Sequence, residues 1–201
     1  NNSSEIFLKI KDQKLNLEIK NINIYNVLAS LAVIHEFNLN LDHIKKTFKF
    51  SEPTEGRGKT HIISRYSKRF KLIDESYNAN PLSVKNAINN FDLIKKDKFK
   101  KYLILGDMLE LGHKSEKYHK DLSKVINNSN IDKVFIKGEK TLFTYKNLHK
   151  SKQGNILQNK DDIDLILRNI IKNNDYLMIK GSNATGLHTL SKKMIRGLNV
   201  I

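Results

Sequence analysis

The chain has 201 residues, a formal net charge of +15 from 36 basic and 21 acidic side chains, and no cysteine. That length allows one large or two modest domains, each with its own core, and the missing cysteines exclude disulfides and thiolate zinc sites. The basic residues are scattered, with short clusters at Lys45-Lys46, Lys95-Lys96, Lys100-Lys101 and Lys192-Lys193 and no aromatic interleaving, which reads as solvated helix faces and excludes a nucleic-acid-binding stripe.

Residues 5–10 and 15–19 alternate as two strands, joined as a hairpin by Lys11-Asp12-Gln13-Lys14. A helix follows, in which Ile24, Val27, Leu28, Leu31 and Ala32 fall on one face, and a second short helix is predicted from 41 to about 48. Pro53 and Gly56-Arg57-Gly58 then break the periodicity, which places a domain boundary between about 49 and 57 and divides the chain into 1–52 and 53–201.

Beyond the boundary a strand is expected over 61–64, and Arg69-Phe70-Lys71-Leu72-Ile73 alternates as a half-buried strand ending at Asp74. Helices are predicted near 81–96, 116–128, 140–149, 160–173 and 186–198, and strands near 101–105, 132–136, 155–158 and 175–179. This alternation predicts an α/β fold: a Rossmann-like, mainly parallel sheet covered on both faces, with a hairpin entry that leaves one antiparallel strand. There is no G-x-G-x-x-G fingerprint, so the topology does not imply a nicotinamide cofactor. Gly58-Lys59-Thr60 resembles the tail of a phosphate-binding loop, but Pro53 occupies the position where that loop needs its first glycine.

The sequence contains no apolar run long enough to span a bilayer and no signal-peptide pattern, so a cytoplasmic protein with no membrane partner is expected. The seven histidines include no H-x-x-x-H pair, and no structural metal is expected.

Three polar loops carry the chemistry. The first is Asp74-Glu75-Ser76-Tyr77-Asn78-Ala79-Asn80-Pro81, with Pro81 suited to a first helical turn. The second is Gly106-Asp107-Met108-Leu109-Glu110-Leu111-Gly112, and the third is Lys180-Gly181-Ser182-Asn183-Ala184-Thr185-Gly186-Leu187-His188. Each follows an apolar strand, and the carboxyl ends of strands are where open α/β sheets bind ligands. Any one of them alone reads as a capped turn; three on one sheet edge point to one site.

These loops resemble motifs of the Mur ligase family, D-x-S-Y-N-A-N-P, G-D-M-x-E-L-G and K-G-S-N, in that order. The resemblance runs from about Ile24 to the end, and is to the members that join D-alanyl-D-alanine to UDP-N-acetylmuramoyl-tripeptide. Glu75 stands where the family often has a second aspartate. The resemblance implies a cytoplasmic, ATP-dependent amide ligase of peptidoglycan precursor synthesis, using ATP and Mg2+ and acting as a monomer on those two substrates. It implies that 1–52 is the end of a central ATP-binding domain and 53–201 the dipeptide-binding ligase domain. The phosphate-gripping loop would lie upstream of Asn1, so the chain is expected to be a fragment, inactive alone.

Residue by residue, the resemblance puts Asn26 at the adenine, Arg57 at the phosphates and Asp74 at the ribose. Tyr77 and Asn78 would line the nucleotide side of the cleft. Asn80, Lys180, Ser182 and Asn183 would face the dipeptide, and no catalytic residue is assigned. Asp107 and Glu110 are expected to serve the metal or, the preferred reading, to complement a helix N-terminus, and His119 and His188 to close local hydrogen bonds. Closure about 49–57, with Arg57 as a latch, is also expected. The alternatives are another amide ligase of the superfamily, such as a folylpolyglutamate synthase, in which the second loop is not expected, and a non-catalytic basic binding module.

Overall fold

The computed structural model describes residues 3–11, 13–20, 24–40, 47–48, 53–95, 97–159 and 161–197. The chain divides into two compact units, Asn1–Thr54 and Glu55–Ile201. Apart from Thr47 and Phe48, the helix predicted over 41–48 lies outside the described residues, as do residues 49–52 of the expected boundary.

In the first unit, β1 (Ser3–Ile10) and β2 (Gln13–Lys20) pair antiparallel with Ile10 opposite Gln13. The connection is therefore two residues shorter than predicted. Lys11 takes a positive φ of 49°, as a two-residue hairpin connection requires. The inward residues Leu15, Leu17 and Ile19 of β2 pack with Val27 and Leu31 of α1 (Ile24–Glu36) and with Phe48. Leu28 and Ala32, expected on the buried face, are exposed, while Ile24 and Ile34 are partly covered. The seam follows positions 24, 27, 31 and 34, a narrower stripe than the sequence suggested.

The second unit is a six-stranded sheet in the order β3-β4-β8-β5-β6-β7. β3 (Lys59–Arg65) and β4 (Lys68–Glu75) are antiparallel; β5 (Lys101–Gly106), β6 (Lys133–Lys137), β7 (Gln153–Ile156) and β8 (Tyr176–Lys180) continue from β4 in parallel. The predicted α/β sheet with one antiparallel strand is what forms. Every residue of β5 is buried, because both of its faces are covered. Tyr102 and Ile104 join one apolar layer with Ile163, Ile166 and Leu167 of α5 (Asp161–Asn169) and Leu187, Leu190 and Met194 of α6 (Leu187–Ile195). Leu103 and Leu105 join the other, with Val84, Ile88 and Phe91 of α2 (Pro81–Leu93) and Leu122 and Ile126 of α3 (Ser115–Asn128).

Local chemistry sets the element ends. Asn80 and Ser83 form a reciprocal capping box that spans Pro81. At the other end of α2 the wholly buried Lys101 donates to the carbonyls of Phe91, Asp92 and Ile94 and to Asn130, giving the last helical acceptors a cation. α4 (Thr141–Tyr145) stops well short of the predicted 149, since the Gln153 side chain takes the carbonyls of Tyr145 and Leu148. β7 accordingly starts two residues before its expected place.

Candidate functional site

Strand order explains why the three loops meet. β4, β8 and β5 are neighbours, and each ends in one of the polar loops. The helix leaving β8 packs in one apolar layer, while the helices leaving β4 and β5 pack in the other. On either side of β8 the outgoing chains thus part to opposite faces and open a crevice at the carboxyl edge.

Hydrogen bonds fasten the loops to each other. Ser182 Oγ accepts from Leu109 N–H at 3.0 Å and donates to the Ala79 carbonyl at 3.4 Å, and Ser182 N–H donates to the Asp107 carbonyl at 3.0 Å. Lys180 Nζ donates to the carbonyls of Glu75, at 3.3 Å, and Asn78, and lies 3.6 Å from the Glu75 carboxylate. Gly106 and Gly181 let α6 close on this edge. A Cβ on Gly106 would lie 2.6 Å from Leu187 Cδ1, and one on Gly181 would lie 3.0 Å from it.

Asp74 is held inside the fold. It is 0% exposed; Oδ2 accepts from Gly56 N–H at 2.9 Å, and Oδ1 accepts from Ser76 N–H at 3.3 Å and Ser76 Oγ–H at 2.5 Å. A carboxylate so placed organises the loop. Strand parity is the reason: Asp74 falls on the inward side with Phe70 and Leu72, and its neighbour Glu75 falls on the other. The Glu75 side chain keeps 27% exposure beside Lys180. Burial raises the Glu75 pKa from its ordinary value against the opposing pull of Lys180, and burial lowers that of Lys180 against the pull of Glu75.

Lys180 is likewise a staple. It is 2% exposed, with its donors directed to Glu75 and Asn78. Ser182 is buried and cross-links the loops, and the Asn80 side-chain oxygen caps α2. What faces outward is a different set. Arg57 is exposed with its guanidinium carbon 4.8 Å over the Tyr77 ring, which is itself 42% exposed. Asn78 and Asn183 are exposed on the first and third loops.

Nor does Arg57 sit on a loose connector. Gly58 N–H donates to the Asp74 carbonyl at 2.8 Å and Tyr77 N–H to the Gly56 carbonyl at 3.1 Å, so 56–58 is tied to β4. Gly56 has φ +74°, and a Cβ there would lie 2.6 Å from Tyr77 Cβ, so only glycine fits. Asn26 belongs to the other unit, exposed on α1.

The remaining polar groups are structural. Asp107 accepts from the N–H groups of Lys140, at 3.2 Å, and Thr141, at 2.7 Å, capping α4 as expected. Glu110 is exposed at φ 61°. His119 Nε2 accepts from Met108 N–H at 3.0 Å while Nδ1 lies 2.8 Å from the Ser115 carbonyl, which fixes a neutral tautomer protonated at Nδ1. Burial lowers its pKa. Among the described residues no three His, Asp or Glu side chains gather into a metal-binding group, and no helix is long and apolar enough to cross a membrane.

The family model for the Mur ligase glutamate ligase domain matches residues 56–183, which include the first two loops and residues 180–183 of the third. The chain belongs to the Mur ligase family. It is 29% identical, over 86% of its length, to UDP-N-acetylmuramoyl-tripeptide–D-alanyl-D-alanine ligase from Bacillus subtilis (strain 168), of which it covers 38%. It is 31% identical, over 87% of its length, to the ligase of the same name from Buchnera aphidicola subsp. Baizongia pistaciae, of which it covers 36%. The chain therefore spans well under half the length of these curated relatives. Among solved structures, MurF ligase from Thermotoga maritima in complex with ADP matches 96% of the chain and 43% of that structure, at TM-score 0.75 and 19% identity. A bifunctional folylpolyglutamate synthase/dihydrofolate synthase from Yersinia pestis CO92 matches 92% of the chain and 43% of that structure, at TM-score 0.62 and 14% identity. At such identities the likeness is one of fold.

In this Mur ligase chain the outward-facing carboxylate of the pair is Glu75, which the sequence reading did not single out. The signal was present in the alternation of β4: of two adjacent carboxylates at a strand end only one can face the core, and it is the one in phase with Phe70 and Leu72.

Proposed function

We propose that the chain is part of an ATP-dependent ligase that joins D-alanyl-D-alanine to UDP-N-acetylmuramoyl-tripeptide in peptidoglycan precursor synthesis, in the cytoplasm. The phosphate-gripping loop of that enzyme would lie outside these 201 residues. The observation that carries this reading is the second loop, Gly106-Asp107-Met108-Leu109-Glu110-Leu111-Gly112, fastened to the third through Ser182 in a chain whose curated relatives bear that activity in their names.

In such a reaction the tripeptide carboxylate takes the γ-phosphoryl group of ATP, and the dipeptide amine displaces phosphate from the acyl phosphate. The protein's task is alignment and charge balance away from water. Arg57 is proposed to pair phosphate oxygens, the Tyr77 ring to offer an apolar face, and Asn78 to line the nucleotide side. Glu75, rather than the buried Asp74, is proposed to accept from the ribose hydroxyls. Asn26 on the first unit is proposed to read the adenine edge, and Asn183 to face the dipeptide. Asp74, Lys180, Ser182 and Asn80 hold the loops that carry these groups. Mg2+ is proposed to enter with the nucleotide phosphates.

The test is the choice of acceptor. With ATP, Mg2+ and UDP-N-acetylmuramoyl-tripeptide, the intact ligase should release phosphate when D-alanyl-D-alanine is added and not when glutamate is added with a folate. Release with the folate pair alone would sink this reading in favour of the folylpolyglutamate one.

A further inference from the structure

We infer that His188 is a positioning residue for the Arg57–Tyr77 face, acting through Ser76 and Asp74. The inference rests on the reading of that face as the nucleotide-contacting one.

His188 is buried on the first turn of α6, whose Leu187, Leu190 and Met194 are fixed in the apolar layer. Its Nδ1 lies 3.1 Å from Ser76 Oγ. The single hydroxyl proton of Ser76 is directed to Asp74 Oδ1, so Nδ1 is the donor to Ser76 and carries the proton. The chain of donors runs His188 to Ser76 to Asp74, and Asp74 in turn accepts the Gly56 N–H. Gly56 O then receives Tyr77 N–H, and the next residue after Gly56 is Arg57.

The same imidazole also touches the loop directly. Its ring stands at 88° to that of Tyr77 with centroids 5.4 Å apart. Its Cε1 would lie 3.0 Å from a Cβ built on Gly56, on a glycine already closed against Tyr77. Gly56 is thus gripped by Tyr77, His188 and the Asp74 carboxylate. The two links are separable, because Phe in place of His keeps a ring beside Tyr77 and removes the donor, whereas Asn keeps an N–H near Ser76 and removes the ring.

The experiment uses His188→Phe and His188→Asn in the 201-residue chain and in the intact ligase. In the chain, amide exchange at Gly56 should rise about tenfold in His188→Phe, the effect of one lost hydrogen bond in the relay, and stay near wild type in His188→Asn. Arg57 side-chain resonances shifted by the Tyr77 ring current should move in His188→Asn. Amides of Leu103 and Ile104 in β5 report that the fold is intact. In the ligase both variants should raise KM for ATP by roughly tenfold and change kcat much less, as expected for loss of uniform binding. Wild-type exchange at Gly56 in His188→Phe together with wild-type Arg57 shifts in His188→Asn would overturn the inference. Changed exchange and shifts with an unchanged KM for ATP would uphold the positioning and overturn the nucleotide reading of the face.

Discussion

The carboxylate of Asp74 holds the backbone N–H of Gly56 at 2.9 Å, and through that bond the end of β4 fixes the loop that carries Arg57. A first prediction follows from its other oxygen, which accepts from Ser76. In Asp74→Asn one of the two sides must present an N–H to a donor. The variant should lose roughly 1–3 kcal/mol of stability, the cost of leaving a buried donor unmet. Urea unfolding of the chain measures it; an unchanged midpoint with a raised KM for ATP would return Asp74 to the ribose.

Ser182→Ala removes the acceptor of Leu109 N–H and the donor to Ala79 O at once. The second loop should loosen, with a loss of about 1–2 kcal/mol and faster amide exchange at Leu109 than in wild type. A specific loss of dipeptide affinity with unaltered exchange would instead mean that the hydroxyl serves substrate.

His119 gives a pH dependence. Its folded pKa lies below the ordinary imidazole value of 6.5 because burial disfavours the cation. The unfolded chain therefore binds the proton first as pH falls, so this contribution is full above 6.5 and is lost as pH drops from there toward the folded value. His119→Gln, which can still accept from Met108 N–H, should be less stable at pH 8 by no more than about 2 kcal/mol and should lose that part of the pH slope. An identical slope in both proteins would contradict the assignment.

Much of the second unit was legible because its parallel strands are short apolar runs bounded by polar loops, and Pro81 after Asn80 announced α2. The hairpin between β3 and β4 was expected from its two strands, but no turn motif marked where it reverses. Its turn residues Tyr66 and Ser67 take φ of 51° and 57° without the usual Asn or Gly. Tertiary contacts hold it: Tyr66 Oη donates to Asp164 at 2.9 Å, and Arg168 lies 4.2 Å over the ring. At the site, the motifs located three loops that meet at one sheet edge, but residue type alone could not tell an outward-facing group from a loop staple. Asp74, Lys180 and Ser182 carry the chemistry of binding residues, and their partners, all but Ser76 lying 18 to more than 100 residues away in the chain, engage it internally.

Hydrogen–deuterium exchange of the intact ligase with and without Mg2+ and ADP tests most directly the claim that the carboxyl edge around β4 and β8 receives the nucleotide. Protection is predicted in peptides covering 56–58 and 75–78, with no change in those covering 169–174 at the opposite end of the sheet. Protection confined to segments elsewhere, with 56–58 and 75–78 exchanging as in the free enzyme, would contradict it.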